Sequence, residues 1–187
     1  KISHAYLFSG PRGTGKTTIA KLLAKTVNCL NLNEDFSICH QCENCIDIDN
    51  NSSDIIEIDA ASNNGVDEIR ELKSKINLVP SKLKYKVYII DEVHMLSISA
   101  FNALLKTLEE PPSHVIFILA TTEFYKVPTT IVSRCQCLNF KRISKEGIVK
   151  RLRQIEKIEK INITSETLEE IAIYSEGGMR DALGMLD

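Results

Sequence analysis

Residues 10–17 read Gly-Pro-Arg-Gly-Thr-Gly-Lys-Thr and follow the short apolar run Ala5-Tyr-Leu-Phe8. They fit G-x-x-x-x-G-K-[ST], the Walker A pattern of a phosphate-binding loop. The apolar run predicts a buried strand, the glycines let backbone N–H groups approach phosphate, and a helix is predicted to open at Lys16. A chance glycine-rich turn before an amphipathic helix is the alternative. The predicted strand, loop and helix follow one another in the order that the Walker A pattern requires, which favours a nucleotide site.

The loop and the start of its helix assign roles to individual residues. Lys16 is expected to contact the β and γ phosphates of a bound nucleotide, and the Thr17 hydroxyl is expected to bind Mg²⁺. The full set expected to bind the nucleotide is Gly10, Arg12, Gly13, Thr14, Gly15, Lys16, Thr17, Thr18 and Asp91.

The composition is that of a globular chain, with 43% hydrophobic residues and a net charge of −2 over 187 residues. Because no long uncharged apolar run is present, neither a membrane segment nor a signal peptide is expected, and the predicted location is the cytoplasm. Charge is uneven: residues 34–71 carry eleven acids against one base, and residues 141–160 carry eight bases against three acids. This distribution allows a local basic face. The lysines of 82–86 are interpreted as solvated, with DNA phosphate contact as the alternative.

Four cysteines lie at a spacing typical of a closed zinc site: Cys29 precedes the run Cys39-His-Gln-Cys42-Glu-Asn-Cys45. The insert that holds them has few apolar residues, so metal binding would supply folding free energy that a core cannot. A redox C-x-x-C pair is the alternative. His40 is interpreted as a surface residue. The expected zinc ligands are Cys29, Cys39, Cys42 and Cys45.

A second chemical element follows the apolar run Val87-Tyr-Ile-Ile90. The run predicts a buried strand, and Asp91 and Glu92 come directly after it, at the end where ligands bind in open α/β sheets. Asp91 is expected to hold Mg²⁺ through water, and Glu92 is expected to polarise the attacking water. A strand that simply ends in two solvated acids is the alternative, which the upstream Walker A loop disfavours.

Polar side chains also follow the next predicted strand, residues 115–119. Thr122 is expected to reach the γ-phosphate or its water, with Thr121 as second choice and a helix or turn cap as the alternative. Arg134 alone would indicate a surface ion pair. Cys135 and Cys137 are interpreted as buried small side chains, because a C-x-C pair is a weak metal signal.

The remaining pattern predicts alternating strands and helices, then helices to the end. Strands are expected at 54–59 and 136–140, a helix at 97–110, and helices after Lys141 broken at Gly177-Gly178. A core-facing helical stripe is expected at Ile19, Leu22, Leu23 and Val27. A second helix is expected from the helical spacing of Val66, Ile69, Leu72 and Ile76.

The sequence as a whole resembles the clamp-loader AAA+ ATPases, and closely the gamma/tau family of bacterial DNA polymerase III. The resemblance spans nearly the whole chain and rests on the four-cysteine insert and on SHAYLFSGPRGTGKTT, AASNNGVDEIRE, VYIIDEVHML, LLKTLEEPP, LATTE, SRC and GGMRDAL. The related delta-prime subunits share the insert but have a degraded phosphate loop, whereas this loop is intact. An α/β fold is implied: a P-loop AAA+ domain with a parallel sheet over 1–141, its zinc module at about 29–45, and a small, truncated helical lid domain over 142–187.

The resemblance also implies roles for three further residues. Thr122 would be sensor 1, Arg134 an arginine finger acting on the neighbouring subunit's ATP, and Arg180 sensor 2, touching the γ-phosphate from the lid. The implied function is that of an ATPase subunit with ATP, Mg²⁺ and Zn²⁺ as cofactors. It would act in a ring with other clamp-loader subunits, opening a sliding clamp and loading it onto primer–template DNA.

Other functions remain open at this point. A non-hydrolysing AAA+ scaffold or DNA-binding subunit of the same assembly would keep the fold, but Lys16 and Glu92 are both present. A small-molecule kinase would leave the zinc module and the SRC motif unexplained. No polymerase carboxylate site is visible apart from Walker B, so nucleotide joining is not expected, although such subunits are grouped with DNA-directed DNA polymerases. The resemblance implies a further segment before the loop and a third domain after Asp187. The sequence is therefore expected to be an excised fragment, with weak nucleotide binding and no ring assembly.

Overall fold

The computed structural model describes residues 2–62 and 76–187, which fall into two compact units. The first comprises Lys1–Ser9 and Thr17–Leu138, and the second comprises Gly10–Lys16 and Asn139–Asp187. The glycine loop therefore groups with the C-terminal helices, which the sequence did not predict. The expected helical residues Val66, Ile69 and Leu72 lie outside the described residues.

The described strands form one five-stranded sheet with the order β2-β3-β4-β1-β5. Three neighbouring pairs, β2 with β3, β3 with β4 and β4 with β1, are parallel. Ser9 pairs with Thr121, so β1 and β4 end side by side at the edge where β3 ends in Asp91. The strands are β1 (Ala5–Ser9), β2 (Ile55–Asp59), β3 (Lys86–Asp91), β4 (Val115–Thr121) and β5 (Gln136–Asn139).

Several helices begin directly after a residue that favours a helix N-terminus. Ser97 and Thr164 each cap a helix by accepting a hydrogen bond from the backbone N–H three residues on, and Gly178 precedes the last helix. No helix in the described part of the chain has the length and apolarity that a bilayer crossing requires. The helices are α1 (Lys16–Asn28), α2 (Glu43–Asp49), α3 (Ile98–Glu109), α4 (Thr129–Val132), α5 (Lys145–Glu159), α6 (Ser165–Tyr174) and α7 (Met179–Leu186), with 3₁₀ turns at Val93–Met95 and Phe124–Lys126.

Each unit has its own core. In the first, β4 is buried along its whole length, as expected for a central parallel strand covered on both faces. The Tyr88 ring stacks on Phe117 with centroids 5.6 Å apart. The first core contains Leu7, Ile76, Tyr88, Ile90, Phe101, Leu104, Leu108, Phe117 and Leu119, and the second contains Ile148, Leu152, Leu168, Ile171, Ala172 and Ala182.

Helix α1 buries a different face from the predicted one. Ile19 and Leu22 are 41% and 45% exposed, whereas Ala20 and Ala24 are fully buried. The predicted stripe is therefore wrong for its two most exposed members. An apolar stripe and an alanine stripe overlap on this helix, and helical spacing does not tell which one is buried.

The loop before β3 is held by a buried carboxylate. Asp54 accepts hydrogen bonds from the backbone N–H groups of Ser81, Lys82 and Leu83 at 2.8, 2.9 and 3.1 Å. Burial opposes its ionisation, but these N–H groups and the charge of Lys86 lower the pKa of Asp54. The interpretation of the lysines as solvated is wrong for Lys86, which is buried as the first residue of β3.

The two cysteines near β5 differ in burial. Cys135 is half-buried, and its burial raises the pKa of its thiol to about 12. Cys137 is exposed, so its interpretation as a buried small side chain is wrong. It lies on β5, whose four residues are all exposed.

Candidate functional site

A hydroxyl and a carboxylate predicted to serve Mg²⁺ are in direct contact. Asp91 is the last residue of β3, and its Oδ2 accepts a hydrogen bond from Thr17 Oγ1 at 2.6 Å. Its Oδ1 accepts from the Glu92 backbone N–H at 2.9 Å. Hard oxygen atoms of these two kinds are the ligands that Mg²⁺ prefers. The pair comes from positions 74 residues apart in the chain, so the fold brings it together.

Glu92 occupies a strained backbone position at the end of β3. Its φ of +47° places it in the left-handed region, which costs a non-glycine residue about 1–3 kcal/mol and is concentrated at functional sites. Its Oε2 accepts hydrogen bonds from Thr122 Oγ1 at 3.0 Å and from the Thr122 backbone N–H at 3.3 Å. Thr122 is therefore the threonine that contacts Glu92, whereas Thr121 is fully buried.

His94 lies against the same carboxylate, and the sequence analysis assigned it no role. Its side chain is only 6% exposed. Nδ1 lies 3.0 Å from Thr121 Oγ1 and 3.4 Å from Glu92 Oε2, and Nε2 lies 3.3 Å from Glu123 Oε1. Hydrogen bonds from Tyr125 and Lys126 lower the pKa of Glu123. The signal available in the sequence was an ionisable residue two positions after Glu92.

Two side chains of the glycine loop in the second unit donate hydrogen bonds to carbonyl oxygens of the same loop. Lys16 Nζ donates to the carbonyl oxygens of Gly10 and Pro11, at 2.8 Å in each case. Thr14 Oγ1 donates to the same Pro11 oxygen at 2.8 Å. The Lys16 ammonium is therefore held on the loop at the first residue of α1.

Two positions of the loop require glycine. Gly10 has a φ of +148°, and a Cβ there would overlap the Phe140 carbonyl oxygen. Gly13 has a φ of +74°, and a Cβ there would lie 3.2 Å from Gly178 Cα. The Gly13 carbonyl accepts a hydrogen bond from the Met179 N–H at 2.9 Å. The loop thus packs closely against the start of α7.

The second unit also brings Arg180 beside the loop. Arg180 is exposed in the first turn of α7, and its Cβ is 3.5 Å from the place that a Cβ on Gly13 would occupy.

The other residues predicted to bind nucleotide lie as follows. Arg12 is exposed, and Gly15 has a φ of +92°. Thr18 is exposed on α1.

Arg134 forms a local ion pair. Its Nη2 lies 2.7 Å from Glu109 Oε1, and its Nη1 donates to the Thr130 carbonyl at 2.7 Å. Both charged side chains are partly exposed, at 32% and 45%. Within the described residues of the first unit, no hydrogen bond joins Arg134 to Asp91 or Glu92.

Four thiols converge in the insert after α1. The Sγ atoms of Cys29, Cys39, Cys42 and Cys45 all lie within 4.8 Å of one another. Cys29 is 3.6 Å from Cys39 and 4.0 Å from Cys42, and Cys39 is 4.0 Å from Cys45. Tetrahedral zinc with Zn–S bonds of about 2.3 Å would separate its sulfurs by about 3.8 Å. The donor set and its spacing therefore fit a closed metal site.

The protonation of these thiols is unequal. Burial disfavours the Cys42 thiolate, yet backbone hydrogen bonds involving Leu30 and Cys45 lower its pKa to about 6. Burial and the neighbouring thiols raise the pKa of Cys45 to about 12. Four thiolates this close repel one another, so a bound cation would favour the fully ionised set.

The comparison with protein families decides the family. A family model described as DNA polymerase III, delta subunit, matches residues 1–144. The chain belongs to this family. The resemblance to gamma/tau subunits is confirmed by two bacterial relatives that align with the whole chain. The DNA polymerase III subunit tau of Bacillus subtilis is 62% identical, and the subunit gamma/tau of Mycoplasma pneumoniae is 51% identical.

This DNA polymerase III family member spans 33% and 27% of the lengths of those two relatives. A solved structure, a DNA polymerase III gamma subunit-related protein from Thermotoga maritima, matches 98% of the chain and 52% of its own. The TM-score is 0.67 and the identity 24%, so this likeness speaks for the fold alone. The predicted fold class, an α/β P-loop AAA+ sheet with helices, is confirmed.

Proposed function

We propose that this chain is the ATP-hydrolysing part of a clamp-loader subunit, in which ATP binding and hydrolysis drive the opening of a sliding clamp and its loading onto primed DNA. The observation that carries the proposal is the 2.6 Å contact between Thr17 and Asp91, with Glu92 next in the chain. It joins the Walker A hydroxyl to the Walker B acid, the pair that holds Mg²⁺ in P-loop ATPases. The names of the relatives, which are DNA polymerase III subunits tau and gamma/tau, support a place in that replication assembly.

The residues divide the work of phosphoryl transfer. Loop N–H groups and Lys16 would neutralise the phosphates, and Thr17 and Asp91 would hold Mg²⁺, which stabilises charge on the phosphate oxygens. Glu92 would orient the attacking water and Thr122 would report on the γ-phosphate. We propose that Arg180 acts on the chain's own ATP, and Arg134 on that of the next subunit. Residues 1–141 would then serve as the nucleotide domain and 142–187 as its lid.

Phosphate release by the full-length protein tests this function. Assembled with its partner subunits, it is expected to hydrolyse ATP, and to do so faster when primed DNA and the clamp are both present. Unprimed single-stranded DNA and omission of the clamp are the matched controls. A ring that loads the clamp without releasing phosphate would favour the non-hydrolysing scaffold instead.

The four-cysteine cluster is proposed to be a structural Zn²⁺ site. A closed set of four sulfurs leaves no open position for substrate, which is the mark of a structural site. Its small core contains Ile38 with the cysteines, and Asn44 of α2 donates to the Asn28 carbonyl at 2.8 Å. Lys25 of α1 lies 2.5 Å from Asp49. The metal would therefore stabilise an insert that few apolar contacts hold.

Metal analysis is expected to give one zinc per chain, with or without nucleotide. Cys42→Ser should lose the metal and lower the melting temperature, because one of the four ligands is gone. Cys137→Ser is the matched control, since this exposed thiol lies outside the cluster, and it should keep one zinc. A clearly substoichiometric metal content in the unmodified chain would contradict the proposal.

A further inference from the structure

One oxygen of the Glu92 carboxylate is held by several neighbours. Oε2 takes two hydrogen bonds from Thr122 and lies 3.4 Å from His94 Nδ1. Among the described residues, Oε1 makes no hydrogen bond. The carboxylate is thus fixed through one oxygen, and the other is available to a water molecule.

The His94 ring is itself anchored on its far side. Nε2 faces Glu123 Oε1 at 3.3 Å, and Glu123 is fixed in turn by Tyr125 and by Lys126 at 2.9 Å. Thr121 Oγ1 accepts a hydrogen bond from the backbone N–H of Glu123 at 3.0 Å. The same oxygen lies 3.0 Å from His94 Nδ1. An imidazolium would donate at both ends, and a neutral ring would donate through Nε2 while Nδ1 accepts from Thr121. Only a ring that carries a proton on Nδ1 can donate toward Glu92 Oε2, so the role proposed below requires that proton.

The ring therefore connects the ends of two neighbouring strands. His94 follows β3 and its partners Thr121 and Glu123 lie at the end of β4, so its orientation depends on the sheet being formed. Burial leaves the ring little freedom to turn, because its side chain is 6% exposed. A group that is fixed on both edges can hold the flexible Glu92 side chain in one rotamer.

We infer that His94 is a positioning residue for Glu92, acting through its Nδ1 edge. Together with Thr122 it holds Oε2, so that Oε1 faces the water whose proton it accepts during hydrolysis. This inference rests on the proposed ATPase function. It assigns to His94 an effect on the chemical step and none on nucleotide binding, since its side-chain partners in the described part of the chain are Glu92, Thr121 and Glu123.

Steady-state hydrolysis by rings of full-length protein tests the inference through three variants. His94→Ala is expected to lower kcat about 10²-fold, the scale of a misplaced catalytic group, with KM for ATP unchanged. His94→Asn, whose amide can occupy the Nδ1 position, should recover most of the rate. His94→Gln, whose amide instead reaches the Nε2 position toward Glu123, should not.

Two controls separate folding and the proposed function from this role. ATP affinity and melting temperature of each variant report on folding, and if His94→Ala fails to fold, the Asn and Gln variants decide the question. Equal rates in those two, or an unchanged kcat in His94→Ala, would overturn the inference while wild-type hydrolysis upholds the function. If wild-type rings release no phosphate and Glu92→Gln changes nothing, the proposed function and this inference fall together.

Discussion

Rings in which every subunit carries Arg134→Ala are expected to hydrolyse ATP about 10³- to 10⁵-fold more slowly than wild-type rings. Phosphoryl transfer needs positive charge where negative charge develops, and we propose that Arg134 supplies it to the neighbouring subunit's ATP. Each variant subunit should still bind ATP at its own site. Phosphate release and nucleotide affinity, measured on the same preparations, give both quantities.

Glu109→Gln is the matched control for Arg134. It removes the 2.7 Å ion pair but keeps the guanidinium, and a partly exposed pair of this kind contributes about 0–1 kcal/mol to stability. Rings with Glu109→Gln should therefore keep their turnover. If both variants lose a little stability and neither loses turnover, Arg134 has only the local role that the ion pair shows.

Mixed rings decide whether Arg134 acts across subunits. Rings that pair Arg134→Ala subunits with Lys16→Ala subunits should be active only at junctions where an intact site meets an intact arginine. Activity that instead follows Arg134 within the chain that binds ATP would contradict action across subunits.

The second large expected effect distinguishes the role of Lys16 in ATP binding from the role of Glu92 in hydrolysis. Glu92→Gln should lower kcat by about 10²- to 10⁴-fold and leave ATP affinity intact, because the carboxylate acts on water in the transition state. Lys16→Ala should weaken ATP binding by about 2 kcal/mol or more, because a buried ammonium is lost from the phosphates. Nucleotide titration and single-turnover hydrolysis of the full-length protein measure the two separately.

Lys21→Ala is the control for the lysine. Lys21 lies on α1 in an exposed ion pair with Glu57 at 2.9 Å, so its removal should change neither binding nor turnover. Equal losses of ATP affinity in Lys16→Ala and Glu92→Gln would contradict the assigned roles.

The sequence by itself determined the local elements and the donor sets. The loop pattern placed the helix start at Lys16, the apolar run before Asp91 gave β3, and Ser97 gave the start of α3. These features are local: a cap, a glycine turn and an apolar run act within a few residues, so neighbouring residues suffice to predict them. The spacing of the four cysteines likewise predicted the cluster that the fold assembles.

Tertiary structure alone decided which faces are buried and which side chains meet. Ala20 rather than Ile19 is buried on α1, because the choice between overlapping stripes depends on what packs against the helix. His94 reaches Thr121 and Glu123 only because β3 and β4 are parallel neighbours whose C-terminal ends lie at the same edge of the sheet. Spacing along the chain carries no information about such contacts, since they are set by strand order and register.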